Sequence, residues 1–180
     1  MKLIGVILNS DLTWKDKTDY ITRRAYSKLW MIRRLKVLGA SNKQLRDVYM
    51  KQVRSILEFA VPVWSGSITK EEDNRIERVQ KSFCAIVLGK RYYDTSYKLA
   101  LRKLNLNMLS ERRLTITKSF AEKSSSHPKF QNWFKLSEMV GPNTRSEKFK
   151  YEHVKGYKDG LKKGPIAHMT NLINIKSDMP

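Results

Sequence analysis

The chain has 180 residues with Lys+Arg 36 against Asp+Glu 17, a formal charge of +19 and a pI near 10.1. That length suits one domain, or one domain with a tail, and an apolar content of 41% is enough for a core, which sets aside a wholly disordered polybasic arm. The charge excess points to an anionic partner, nucleic acid first and an acidic membrane surface second. Cys84 is the only cysteine, so neither a disulfide framework nor a Cys-based zinc site can be built, and a reducing intracellular compartment, nuclear or cytoplasmic, is expected. The N-terminal LIGVIL is too short for a signal-peptide core, and no run approaches the roughly 18 apolar residues of a spanning helix.

Residues 2–8, KLIGVIL, are apolar and β-branched and end at the turn-like Asn9-Ser-Asp11, which reads as a strand. A lone strand is not stable by itself, so it needs a partner. Trp14 to Leu38 reads as the first helix, with Ile21, Ala25, Leu29, Ile32 and Leu35 on one face. Thr13 or Asp11 is expected to cap it and Gly39 to end it; Asp11, Asp16 and Asp19 fit a cap and first-turn dipole role.

Ser41-Asn-Lys-Gln44 is a capping box and opens a second helix, striped by Leu45, Val48, Tyr49, Gln52, Val53, Ile56, Leu57 and Ala60. Arg54 and Glu58 are one helical turn apart and are expected to pair. The segment RSILEFAVPVW is apolar on nearly every side, which predicts a central helix, stopped or kinked by Pro62, with Val61, Val63 and Trp64 plugging the end of a three-helix packing. Thr69-Lys-Glu-Glu72 is a second capping box; the helix it opens is striped by Ile76, Val79, Phe83, Ile86 and Val87 and ends at Gly89, with Cys84 a buried core thiol. A short helix is expected over 96–103 and another over 110–123, with Leu109, Ile116 and Phe120 inward, broken at Ser124-Ser-Ser-His-Pro128. Residues 135–165 read as a mobile linker, and PIAHMTNLIN as a segment that docks back as a turn or helix.

The sequence holds no Gly-rich phosphate loop, no dinucleotide fingerprint and no Gly-x-Ser-x-Gly elbow. His127, His153 and His168 lack metal-ligand spacing, and no adjacent Asp pair is present for a two-metal polymerase or nuclease site. What remains is cations interleaved with aromatics. Lys15, Lys17, Arg23, Arg24, Lys28, Arg33 and Arg34 sit among Trp14, Tyr20, Tyr26 and Trp30 in helix one; Lys51 and Arg54 lie in helix two; Lys90 and Arg91 precede Tyr92 and Tyr93. Such cations neutralise phosphates, and the tyrosines offer stacking platforms. Core-edge tyrosines on a solvated basic face would give the same pattern without a ligand.

Several segments, in order, carry a family resemblance. KLIGVILNSDLTWKDKTDYI resembles the exit from the palm of non-LTR (LINE-type) retrotransposon reverse transcriptases. SNKQLRDVYMKQVRSILEFAVPVW and TKEEDNRIERVQKSFCAIVLG resemble the thumb helices of that family; LNLNMLSERRL, KFQNWF and PIAHMTNLIN resemble the region beyond. The family's catalytic Tyr/Phe-x-Asp-Asp motif and its endonuclease are missing, and one cysteine cannot build the Cys/His knuckle of some members. The resemblance implies the end of the palm, the thumb and the tail of a truncated element, its frame starting at a chance methionine. It also implies a grip on an RNA or RNA–DNA duplex by its backbone, without catalysis, cofactor, small-molecule substrate or membrane, with the missing palm of a parent polymerase a further partner.

The fold expected on this basis is mainly α. A small thumb-like bundle of three principal helices over 11–92 follows one orphan palm strand over 1–10; shorter helices follow over 93–134 and a loosely ordered tail over 135–180. The alternative is an inert relic or a protein-interaction bundle. RIERVQKSFCAIVLG also resembles a non-catalytic N-terminal piece of AlkB-type dioxygenase/tRNA methyltransferases, without their iron triad or cofactor loop.

Overall fold

A computed structural model gives the fold and describes residues 2–9, 13–93, 95–136, 151–152 and 164–174. The protein is mainly α and groups into two compact units, Met1–Ala60 with Ile68–Arg112, and Val61–Ser67 with Arg113–Pro180.

The first unit opens with β1 (Lys2–Leu3) and β2 (Val6–Ile7), an antiparallel pair with Lys2 opposite Ile7 and Leu3 opposite Val6. Ile4 and Gly5 both have positive φ, 46° and 80°, which a two-residue hairpin turn requires. The orphan strand expected over 2–8 is therefore corrected to a small hairpin that supplies its own partner, because Gly5 lets the run fold back at its middle.

Helix α1 spans Lys15–Val37 and buries Ile21, Ala25, Leu29 and Ile32, with Thr18 and Thr22 completing the face. Thr22 Oγ1 donates to the Thr18 carbonyl at 2.7 Å, so the buried hydroxyl is satisfied within its own helix. Trp14 holds the N-cap position and makes no side-chain cap bond itself; Thr13, one of the two expected caps, accepts from Asn9 Nδ2 at 3.2 Å, and the other, Asp11, lies outside the described residues. Gly39 ends the helix at φ 86°, its N–H donating to the Lys36 carbonyl at 3.0 Å.

The second helical run joins α2 (Asn42–Val48), a π-helical turn (Tyr49–Arg54) and α3 (Ser55–Glu58). Both hydrogen bonds of the Ser41–Gln44 capping box form. Its fully buried residues, Leu45, Tyr49, Val53 and Leu57, are each four apart. In a pure α-helix that spacing drifts about 40° per step. The wider turn at Tyr49–Arg54 brings the row back into line. Pro62 acts earlier than its position suggests. Its ring would collide with the carbonyl four residues back, so the helix ends at Glu58 and the chain turns at Phe59 (ψ 125°) and Ala60 (φ 55°). Val61–Trp64 forms a separate short helix, α4, grouped with the second unit. Of the residues expected as a plug, Val61 and Trp64 are buried and Val63 is exposed.

Helix α5 (Lys70–Leu88) starts at a complete Thr69–Glu72 capping box and ends at Gly89. Thr18 meets Glu72, Asp19 pairs with Arg75, and Lys36 Nζ donates to the Ile86 carbonyl. These contacts advance in step, so α1 and α5 run in the same direction, with the α2–α3 run returning between their ends. Tyr49 stacks on Phe83 with ring centroids 4.0 Å apart. Below that stack lies a buried polar knot. Tyr49 Oη donates to Gln80 Oε1 at 2.9 Å, Gln80 Nε2 donates to the Asn107 carbonyl at 2.9 Å, and Tyr97 Oη donates to Glu77. Glu77 Oε2 accepts the Leu109 N–H at 3.0 Å and so caps the start of the helix that follows. Burial raises the Glu77 pKa despite the lowering effect of these bonds. The short helix expected over 96–103 is α6 (Tyr97–Lys103), with Ser96 just outside it as the cap.

Helix α7 (Leu109–Ser125) begins in the first unit and continues into the second, where it buries Arg113, Thr117, Ala121 and Ser124. Of its three expected inward residues only Leu109 is buried: Ile116 is half-buried and Phe120 exposed, because the true stripe steps by fours from Leu109 through mostly polar positions. Two turns of 3-10 helix follow at Pro128–Trp133, and α8 (Pro165–Asn174) is the docking segment expected from PIAHMTNLIN. Ala121, Phe134, Tyr151, Met169 and Ile173 form this unit's apolar cluster. Asn174 mimics a strand partner: its Oδ1 accepts from Tyr151 N at 3.1 Å and its Nδ2 donates to the Tyr151 carbonyl at 2.9 Å. Gly66 must lack a side chain, since a Cβ there would lie 2.5 Å from His168 Cγ. Most of the linker expected over 135–165 lies outside the described residues.

Candidate nucleic-acid interface

A cation binds phosphate when its head reaches solvent and no carboxylate already neutralises it. On α1 the core stripe fixes the outward face, and Arg23, Arg24, Lys28, Arg33 and Arg34 all lie exposed, with Lys15 at the start of the helix. From Tyr20 to Arg46 the chain holds no acidic residue. Among the described residues no ion pair engages these five cations. Two of them lie over aromatic rings instead. The Arg34 guanidinium is 5.4 Å from the Trp30 ring centre, and Arg24 is 5.5 Å from that of Tyr20 while donating to its hydroxyl at 3.0 Å. Trp30 is 60% exposed, so the face combines charge with an accessible ring.

The other candidate residues are placed differently. Lys17 is 1% exposed; its Nζ donates to the Gly5 carbonyl at 3.3 Å and lies 5.2 Å from the Phe59 ring centre. It is removed from the outward face. Lys51 is exposed on the second helical run. Arg54 pairs with Glu58 at 3.5 Å, and Glu58 is also gripped by two nitrogens of Arg112, Nη2 at 3.0 Å from Oε2. Burial lowers the Arg54 pKa against the pull of Glu58, while Glu58 raises that of Arg112. The side chains of Lys90 and Arg91 lie outside the described residues. Tyr92 is half-buried and meets the exposed Tyr93 edge-on, with centroids 5.9 Å apart.

Sequence reading missed how other charges are used. Asp19 is a partner of Arg75 rather than only a first-turn charge, and Lys36 caps the end of α5. Neither partner is near in sequence, so spacing alone carries no signal for them. Cys84 is fully buried and its thiol pKa is pushed up to about 12 by that burial, in keeping with a core position. Among the described residues no three His, Cys, Asp or Glu side chains come together as a metal site, and no helix is long and apolar enough to cross a membrane.

Against known proteins, one similarity bears on this surface. Over 130 residues, 70% of this chain, the sequence is 26% identical to the Drosophila melanogaster "Probable RNA-directed DNA polymerase from transposon BS". The chain is similar to a region of a transposon reverse transcriptase. It spans 14% of the length of that protein. No family model and no solved structure matches the chain.

Proposed function

We propose that the chain is the thumb and C-terminal part of a non-LTR retrotransposon reverse transcriptase, without its catalytic carboxylates, and that it holds an RNA or RNA–DNA duplex by the backbone. The observation that carries the reading is the outward face of α1, where Arg23, Arg24, Lys28, Arg33 and Arg34 are exposed and carry no carboxylate partner among the described residues. The similarity to a transposon polymerase supports the nature of the ligand. The thumb placement rests on the ordered resemblance of the α2–α3 and α5 sequences. In this reading the cations contact phosphates and release counterions, so the grip follows duplex shape rather than base sequence. The packing of α1 on the neighbouring helices leaves these cations spread over its solvent side, Arg24 and Lys28 toward one flank and Arg33 toward the other.

The test is equilibrium binding of the purified protein to a labelled RNA–DNA hybrid from 50 to 200 mM salt. With each phosphate contact contributing a slope of about −0.9 in log K against log salt, a grip by the five α1 cations loses about 10²–10³ in affinity over that range. Absence of binding at the lowest salt, with the helical circular dichroism intact, contradicts the proposal. A second reading, a protein-docking bundle, is favoured by the exposed Trp30, Val37 and Leu38 on or just after the same helix. A partner held that way binds with little dependence on salt.

A further inference from the structure

A cavity of about 290 Å³ opens in the first unit between the hairpin turn, α1 and α3, lined by Gly5, Lys17, Tyr20, Ile21, Arg24, Ser55, Ile56 and Phe59. Its chemistry is divided. Ile21, Ile56 and Phe59 give apolar wall, and Lys17 and Arg24 give two cationic groups. Gly5 allows the closeness of the wall, since a Cβ at its φ of 80° would already meet the Phe59 ring at 3.2 Å. Tyr20 holds Arg24 at the opening through its hydroxyl, 3.0 Å from Nη1, and Lys17 is fixed against the Phe59 ring face. The volume lies just under the range of about 300–1,000 Å³ that takes drug-sized ligands, which suits a single ring system with one charged substituent.

We propose that this cavity binds one nucleotide, its phosphate on Arg24 and Lys17 and its base against Phe59, Ile21 and Ile56. The inference rests on the nucleic-acid reading of α1, because Arg24 belongs to both the exposed α1 cations and the cavity. The ligand is either the unpaired end of a strand held along α1 or a free nucleotide; both present a phosphate joined to a flat ring. It goes beyond the sequence, which carries no phosphate-loop motif and led to the expectation of no small-molecule ligand.

Calorimetry with the full chain, titrated separately with a nucleoside 5′-monophosphate, the unphosphorylated nucleoside and inorganic phosphate, tests the site. The nucleotide is expected to bind at least about tenfold tighter than either half, the worth of one charge-assisted hydrogen bond. Ser55→Trp, at an exposed position on the rim, is expected to abolish nucleotide binding while leaving blunt-duplex binding unchanged. Arg24→Gln is expected to weaken the nucleotide more than the nucleoside. Competition by a single-stranded overhang but not by a blunt duplex assigns the site to a strand end; competition by neither assigns it to a free nucleotide. Phosphate binding as well as the nucleotide does, or full nucleotide binding by the folded Ser55→Trp protein, overturns the cavity site. Duplex binding lost with nucleotide binding kept overturns the duplex grip alone.

Discussion

Helices α1 and α5 lie side by side in the same direction and bury comparable apolar stripes, yet they turn unlike faces to solvent. On α5, Glu71, Glu72 and Asp73 fill the first turn, and Arg75 is tied to both Glu71 and Asp19. On α1 the cations from Arg23 to Arg34 have no acid among them in sequence and, among the described residues, no ion pair in space. The difference shows why a net charge of +19 does not by itself locate a binding surface. Cations already neutralised by neighbouring carboxylates release no counterions to a phosphate. What makes an anion surface is a run of cations from which acids have been left out.

Shared inner faces and unlike outer faces make separable predictions. The largest effect belongs to the shared core. Phe83→Ala removes the ring stacked on Tyr49 and is expected to cost about 3–5 kcal/mol in denaturant unfolding, with the salt slope of hybrid binding unchanged for the protein that stays folded. A middling effect belongs to Glu77 on α5. Folding raises its pKa, so the native state holds its proton more tightly than the unfolded chain. Stability attributable to this group is therefore greatest below the ordinary carboxylate pKa of about 4.3 and is lost as pH rises through the higher native value. Glu77→Gln, which can still accept the Leu109 N–H, is expected to flatten the stability profile in that window, so the cost of the substitution shrinks as pH rises. The smallest effect belongs to the start of α5, where Thr69→Ala is expected to cost about 1 kcal/mol by loss of its cap.

How much was legible follows from which interactions are local. Ser41–Gln44 and Thr69–Glu72 announced their helices because a cap joins residues two or three apart. The Leu45-Tyr49-Val53-Leu57 row was legible as a buried face, but the π-helical turn within it was not, since α7 buries a four-apart row from Leu109 to Ala121 without one. The Glu77–Gln80–Tyr97–Asn107 knot was not legible, because apolar periodicity passes over buried polar residues whose partners lie far along the chain. The same cause misplaced the inward face of α7, where Arg113 and Thr117 are buried and Phe120 is exposed. At the candidate surface, the sequence grouped the α1 cations, most of which the fold leaves exposed, but could not separate the buried Lys17. Its place on the helix edge facing the hairpin and Phe59 depends on the hairpin's fold and the break at Ala60.

The measurement closest to the central claim compares two charge-matched variants in hybrid binding across salt. Arg23→Ala/Lys28→Ala/Arg33→Ala removes three cations from α1, and Lys70→Ala/Arg78→Ala/Lys81→Ala removes three from exposed positions of α5. The account predicts that the α1 variant loses up to about 3 from the magnitude of the salt slope while the α5 variant keeps the wild-type slope within about 1. Equal losses in the two variants would mean that the chain binds through its net charge alone and would contradict a grip built on α1.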